Sequence, residues 1–145
     1  MLFRSQVGDN SSLGSYFANV SISNSLNTRF NHSLSFGHEA QTGAASNFTE
    51  VNYVRYHANW DLIRMVSLSA SASFEDITES GGLFAHHLHY YGFGVNCGFR
   101  LTKHITISLG YEFSKRDSTD GGGTLDGEDP SFYENRISIH AGYAF

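Results

Sequence analysis

The sequence predicts an all-β fold: an antiparallel up-and-down transmembrane β-barrel with about eight strands in this chain, either closed by itself or part of a larger barrel. Three observations predict it. Apolar and polar residues alternate at a period of two along successive stretches; short polar turns alternate with long polar loops; and the polar side of each stretch is mostly Ser, Gly and Asn. Pleating sends successive side chains to opposite faces, so a period of two marks a strand with one greasy and one wet face.

Residues before Gly8 read as an incomplete rising strand. Tyr16, Ala18, Val20 and Ile22 then alternate with Phe17, Asn19, Ser21 and Ser23, and after the turn SLNT, Phe30, His32, Leu34 and Phe36 alternate with polar partners. A third strand carries Val54, Tyr56, Ala58 and Trp60, and past the link DLIR a fourth carries Val66, Leu68, Ala70, Ala72 and Phe74 against four serines. The fifth sets Tyr91, Phe93, Val95, Cys97, Phe99 and Leu101 against glycines and Asn96. The turn TKH leads to Ile105, Ile107, Leu109, Tyr111 and Phe113, and the last strand sets Ile137, Ile139, Ala141, Tyr143 and Phe145 against Arg136, Ser138, His140, Gly142 and Ala144. The long connections are GHEAQTGAASNFTE, EDITESGGLFAHH and KRDSTDGGGTLDGEDPS. Placing the short turns on one side puts the loops holding Glu39, Ser80 and Gly122 on the other, as in a membrane barrel with short periplasmic turns and long outer loops.

A soluble β-sandwich or lipocalin-like barrel also alternates. It would put Lys, Glu and Asp outside, whereas charges here gather in turns and loops, and Tyr16, Trp60, Phe74, Phe99, Tyr111, Phe113, Tyr133 and Phe145 stand near strand ends as interfacial aromatics do. At 145 residues the chain is read as one domain, 1–145, with its N-terminal strand incomplete. Pro 1 and Gly 15 favour strands joined by glycine-bearing turns, and a net charge of −5 without a basic cluster argues against a nucleic-acid partner. Cys97 alone excludes an internal disulfide or a cysteine-based metal cluster. The opening MLFRSQVGDN has no apolar signal-peptide core, so either the signal has been removed and Met1 is an added or internal start, or the protein is not exported.

The charged residues expected to line the lumen are Arg29, Arg55, His57, Glu75, Arg100, Glu112, Arg136 and His140, together with Glu134. In a narrow lumen they form a hydrogen-bonded ladder, because unpaired buried charges are costly; in a wide one they bias ion passage. The expectation is the ladder. In HHLH, His87 and His89 share a strand face and His86 points away, which reads as a surface cluster with no metal. His38 and Glu39 read as the solvated start of a loop, Cys97 as a small outward apolar residue, and GGGT at 121–124 as loop. His32, Ser33 and His57 fall in no Ser-His-acid motif, so no catalytic residue and no cofactor are expected.

The terminal GYAF, and the runs LTKHITISLGYEFSKRDS and FYENRISIHAGYAF, resemble the last strands of porin-like outer-membrane β-barrel proteins of Gram-negative bacteria. The resemblance implies the bacterial outer membrane as location, with membrane lipid, lipopolysaccharide, the barrel-assembly machinery and other barrel or envelope subunits as partners. It makes Tyr143 and Phe145 an assembly signal. The implied role is a passive porin-like pore or barrel-wall component without catalysis; the alternative is a small filled structural or adhesive barrel whose outer loops bind a partner. Deleting Phe145 is expected to reduce insertion in cells far more than refolding into detergent, since one terminal side chain contributes only ~1.5–3 kcal/mol of burial. Membrane fractionation set beside in vitro refolding yield checks this, and equal losses in both would remove the signal.

Overall fold

The computed structural model describes residues 16–41, 48–80, 86–118 and 131–144. They form one seven-stranded antiparallel sheet whose strand order is the sequence order. The strands are β1 (Ala18–Asn27), β2 (Phe30–Gln41), β3 (Phe48–Ile63), β4 (Val66–Ser80), β5 (His86–Arg100), β6 (Ile105–Ser118) and β7 (Phe132–Tyr143). Each strand pairs with its sequence neighbours. Among the described residues no ladder joins β1 to β7, so the sheet is open and the expected closed barrel of about eight strands is not formed by them. The expected eighth strand, before Gly8, lies outside the described residues.

Short turns at one end behave much as the polar residues imply, but are tighter than their sequences suggest. Asn27 ends β1 and its Oδ1 accepts the N–H groups of Arg29 and Phe30, each at 2.8 Å, so the turn proper is Thr28 and Arg29. β3 runs through Asp61 to Ile63, leaving Arg64 and Met65 as the next turn. Both hairpins absorb a register shift just before the turn, between Ser25 and Asn27 and between Asp61 and Ile63. In the third turn the Thr102 hydroxyl accepts the N–H groups of His104 and Ile105 at 3.2 and 3.0 Å. The carbonyl of His104 accepts Ala144 N–H at 2.9 Å, tying the end of β7 to that turn.

At the other end the strands run well past where their simple alternation stops. β2 includes His38, Glu39 and Ala40, β4 continues from Glu75 to Ser80, and β6 takes in Lys115, Arg116, Asp117 and Ser118. Residues expected to open long loops are therefore paired strand, Glu39 and Ser80 among them. Gly122 lies outside the described residues.

The cause is an inversion of the two faces. Over the half of the sheet nearer the short turns, one face carries Val20, Ile22, Leu34, Val54, Tyr56, Leu68, Phe93, Leu109, Ile137 and Ile139, nearly all exposed. We call this the outer face. The opposite, hollow face carries Ser67, Ser71 and Ser73 directly across from Gly98, Gly94 and Gly92. Beyond Phe74 the polarity exchanges. The outer face becomes Asn52, Asp76, His89 and Asp117 in one cross-strand row, while Val51, Ile77 and Leu88 form a row on the hollow face. Val51, Tyr53 and Leu88 are the buried apolar residues among those described, so the small core sits on the hollow face at the loop end.

The sheet curls about its hollow face. Arg29, in the β1–β2 turn, and His140, on β7, line the same concavity of about 880 Å³. Side chains on the inside of a curled sheet converge, so small residues there make the curvature possible. A Cβ added at Gly94 would stand 2.8 Å from Ser71 Oγ, and one at Gly98 2.8 Å from Ser67 Oγ. Gly94→Val is therefore expected to destabilise the folded chain by ~1–3 kcal/mol, and Ser71→Gly in the same chain to recover much of the loss. Urea unfolding followed through Trp60 measures both; a Gly94→Val chain as stable as the parent would remove the packing role.

Candidate functional site on the hollow face

Pleat parity puts Arg55, Glu75, Glu112, Glu134 and Arg136 on the hollow face, and the register decides which of them meet. Tyr53 and Arg55 are two apart on β3, and Glu75 lies directly opposite Tyr53 on β4. Arg55 donates through Nε and Nη2 to one Glu75 oxygen at 3.0 and 2.7 Å, and its guanidinium lies 4.1 Å from the centroid of the Tyr53 ring. On the other flank Arg136 stands opposite Glu112 across the β6–β7 ladder. Its Nη1 is 3.6 Å from Glu112 and its Nη2 donates to Glu134, on its own strand, at 3.0 Å. These are two separate ion-paired groups. The serine and glycine rows of β4 and β5 lie between them, so they do not join into one ladder.

Arg29, Arg100 and His140 meet elsewhere, at the short-turn end, where they line the large concavity with Asp61 and Arg64. Among the described residues neither Arg29 nor Arg100 forms an ion pair. Three guanidinium groups against one carboxylate leave this mouth cationic. His57 lies mid-sheet between Ser33 and Ser71, and its Nε2 accepts the Asn59 amide at 2.9 Å. Tyr143 is on the outer face, largely exposed, with its ring centroid 6.0 Å from that of His104. Phe145 lies outside the described residues.

The upper outer face holds polar groups that the alternation alone did not bring together. His38 is inside β2, not in a solvated loop: its Nδ1 is 2.8 Å from Asn52 Oδ1 and its ring stacks on Tyr16 at 4.4 Å between centroids. Lys115 bonds Asp117 at 2.7 Å. His87 and His89 do share a face of β5, and Asp76 of β4 reaches both. Asp76 went unnoticed in the sequence because the stretch containing it was read as loop, and because its neighbours across the ladder depend on register.

Comparison with protein-family models, with curated proteins and with solved structures gives no match. The class the fold defines is an all-antiparallel, up-and-down β-sheet protein of seven described strands, an architecture compatible with a β-barrel. The Arg55–Glu75 pair, 47% and 21% exposed, is expected to contribute a coupling of about 0.2–1 kcal/mol that falls with added salt. A double-mutant cycle of Arg55→Ala and Glu75→Ala measures it, and zero coupling at low salt would mean the two side chains do not stabilise one another.

Proposed function

We propose that the chain is the wall of a bacterial outer-membrane β-barrel that acts as a passive porin-like pore or pore component and performs no catalysis. The observation that carries this reading is the apolar belt on the outer face. On β6 it comprises Ile105, Ile107, Leu109, Tyr111 and Phe113, a run of about nine residues, which matches the 9–11 that a tilted strand needs to cross a bilayer. Aromatics fringe it on both sides: Phe30, Trp60, Phe99 and Tyr143 toward the short turns, Phe36, Phe74, Tyr91 and Tyr133 toward the loops. Above the fringe the outer face turns polar, as a strand does where it leaves lipid for water. No helix among the described residues is long and apolar enough to span a membrane, so in this reading the strands do the crossing.

The hollow face supports a wet lumen. An eight-stranded barrel is only wide enough for side chains to fill it, whereas serines and glycines leave the middle of this face low and polar. The edges of β1 and β7, unpaired among the described residues, fit a wall that further strands complete, because unpaired backbone groups in hydrocarbon cost several kcal/mol each. The second reading, a filled barrel whose loops bind a partner, draws on the buried Val51, Tyr53 and Leu88 group, which obstructs the loop end of the hollow face. In either case the neighbours are membrane lipid, lipopolysaccharide and the assembly machinery that would read Tyr143 and Phe145.

Refolded protein in a planar bilayer is expected to give steady ion steps, with anions favoured by the cationic mouth and the preference weakened by Arg100→Glu. Silence under conditions that give a folded, inserted protein would leave the filled barrel. Leu109→Arg, at the middle of the belt, is expected to destabilise the inserted state by ~2–4 kcal/mol, and Ser108→Arg on the hollow face much less. A folded monomer that stays in solution without detergent would defeat the membrane reading altogether.

A further inference from the structure

Asp76, His87 and His89 form a compact group on the outer face, just beyond the aromatic fringe. The positions follow from the backbone. His87 and His89 are two apart on β5 and so project from one face, and the β4–β5 register sets Asp76 directly opposite His89. One Asp76 oxygen, Oδ1, hydrogen-bonds His87 Nε2 and lies 3.4 Å from His89 Nε2. The two imidazole rings stand 5.1 Å apart and edge to face. One ligand atom from each residue lies within 4.8 Å of the others.

We propose that these three residues bind a divalent transition-metal ion, Zn²⁺ or its neighbours Ni²⁺ and Cu²⁺. Two ligand atoms on a tetrahedral ion with bonds of about 2.1 Å stand roughly 3.4 Å apart, which is the His89–Asp76 separation already present. Side-chain rotations of His87 and Asp76 that move their ligand atoms by about 1 Å, to the spacing a tetrahedral ion requires, admit the ion between them. Two imidazole nitrogens and a carboxylate suit these borderline ions far better than Mg²⁺ or Ca²⁺, which prefer sets of oxygens. The protons balance without a base: the Nε2–H that His87 donates to Asp76 transfers to Nδ1, and the Nε2 lone pair then faces the ion.

The surroundings leave the group accessible. The His87, His89 and Asp76 side chains are 39%, 28% and 31% exposed, enough for a hydrated ion to enter and retain water in its remaining position. The nearest polar neighbours in the same row are engaged with one another: Asn52 with His38, and Asp117 with Lys115. Below, the Phe74 ring lies 5.8 Å from that of His89 and closes the floor. The site depends on the β4–β5 register and not on the membrane reading, since it exists equally on a sheet in detergent.

Full-length chain folded in detergent, stripped with a chelator and desalted, is titrated with Zn²⁺ by calorimetry, and with Co²⁺ followed by its visible absorption. The expected result is one ion per chain, with cobalt bands of a nitrogen- and oxygen-ligated ion. Affinity is expected to fall at least tenfold in each of Asp76→Asn, His87→Ala and His89→Ala, and to be unchanged in His32→Ala. Asp76→Asn keeps the shape of the side chain and one acceptor oxygen for the histidines, so its loss of binding does not depend on unfolding, which circular dichroism checks for all variants. No binding, or binding that all three variants retain, overturns the site.

Discussion

Six antiparallel ladders hold the side chains of seven strands at common levels, and everything else in the structure rests on that registration. A slip of one residue in any ladder would carry a whole strand's apolar set to the hollow face and its serines to the outer one. Among the described residues no protein layer packs over the outer face to enforce the register. What enforces it is the side-chain rows themselves: Ser against Gly within the hollow, Phe74 against Tyr91 at the fringe, and Arg55 with Glu75 between neighbouring strands. The short hairpins add fixed ends, through Asn27 and Thr102.

Registration also explains why one sheet carries two chemistries. Nothing in the pleat distinguishes the lower half of a strand from the upper. The faces differ because the residues at a given level agree across strands, so Asn52, Asp76, His89 and Asp117 make a polar row where Val54, Phe74 and Tyr91 make an apolar one a single level lower. The converse row of Val51, Ile77 and Leu88 gives the hollow its only dry patch among the described residues.

All seven strands were legible in the sequence, because each holds at least four consecutive alternations over its lower half. Their upper ends were not. Ile77 and Leu88 have the parity of the polar set below them, so the inversion resembles the end of a pattern and the start of a loop. Facing was legible for Arg55, Glu75, Glu112 and Arg136 from parity alone. Partnership was less so: Arg136 meets Glu112 only because β7 joins β6 in one register across a long connection. The Asp76 group needed the same information across β4 and β5. Closure of the sheet was the least legible property, since edge pairing depends on residues far apart in the chain.

Strand order identical to chain order has a kinetic meaning. Every ladder is a hairpin between neighbours, so each forms by closing a local loop, and no ladder among the described strands waits for a distant segment. The two-residue turn after Ile63 imposes almost no search, whereas the link between Ser118 and Phe132 adds about 1.5 kcal/mol of closure entropy over such a turn. The β3–β4 hairpin combines the longest ladder with one of the tightest turns, so it gains the most pairing for the least loop closure. β7 is joined to the rest of the described sheet through the longest connection, so its ladder has the largest loop to close.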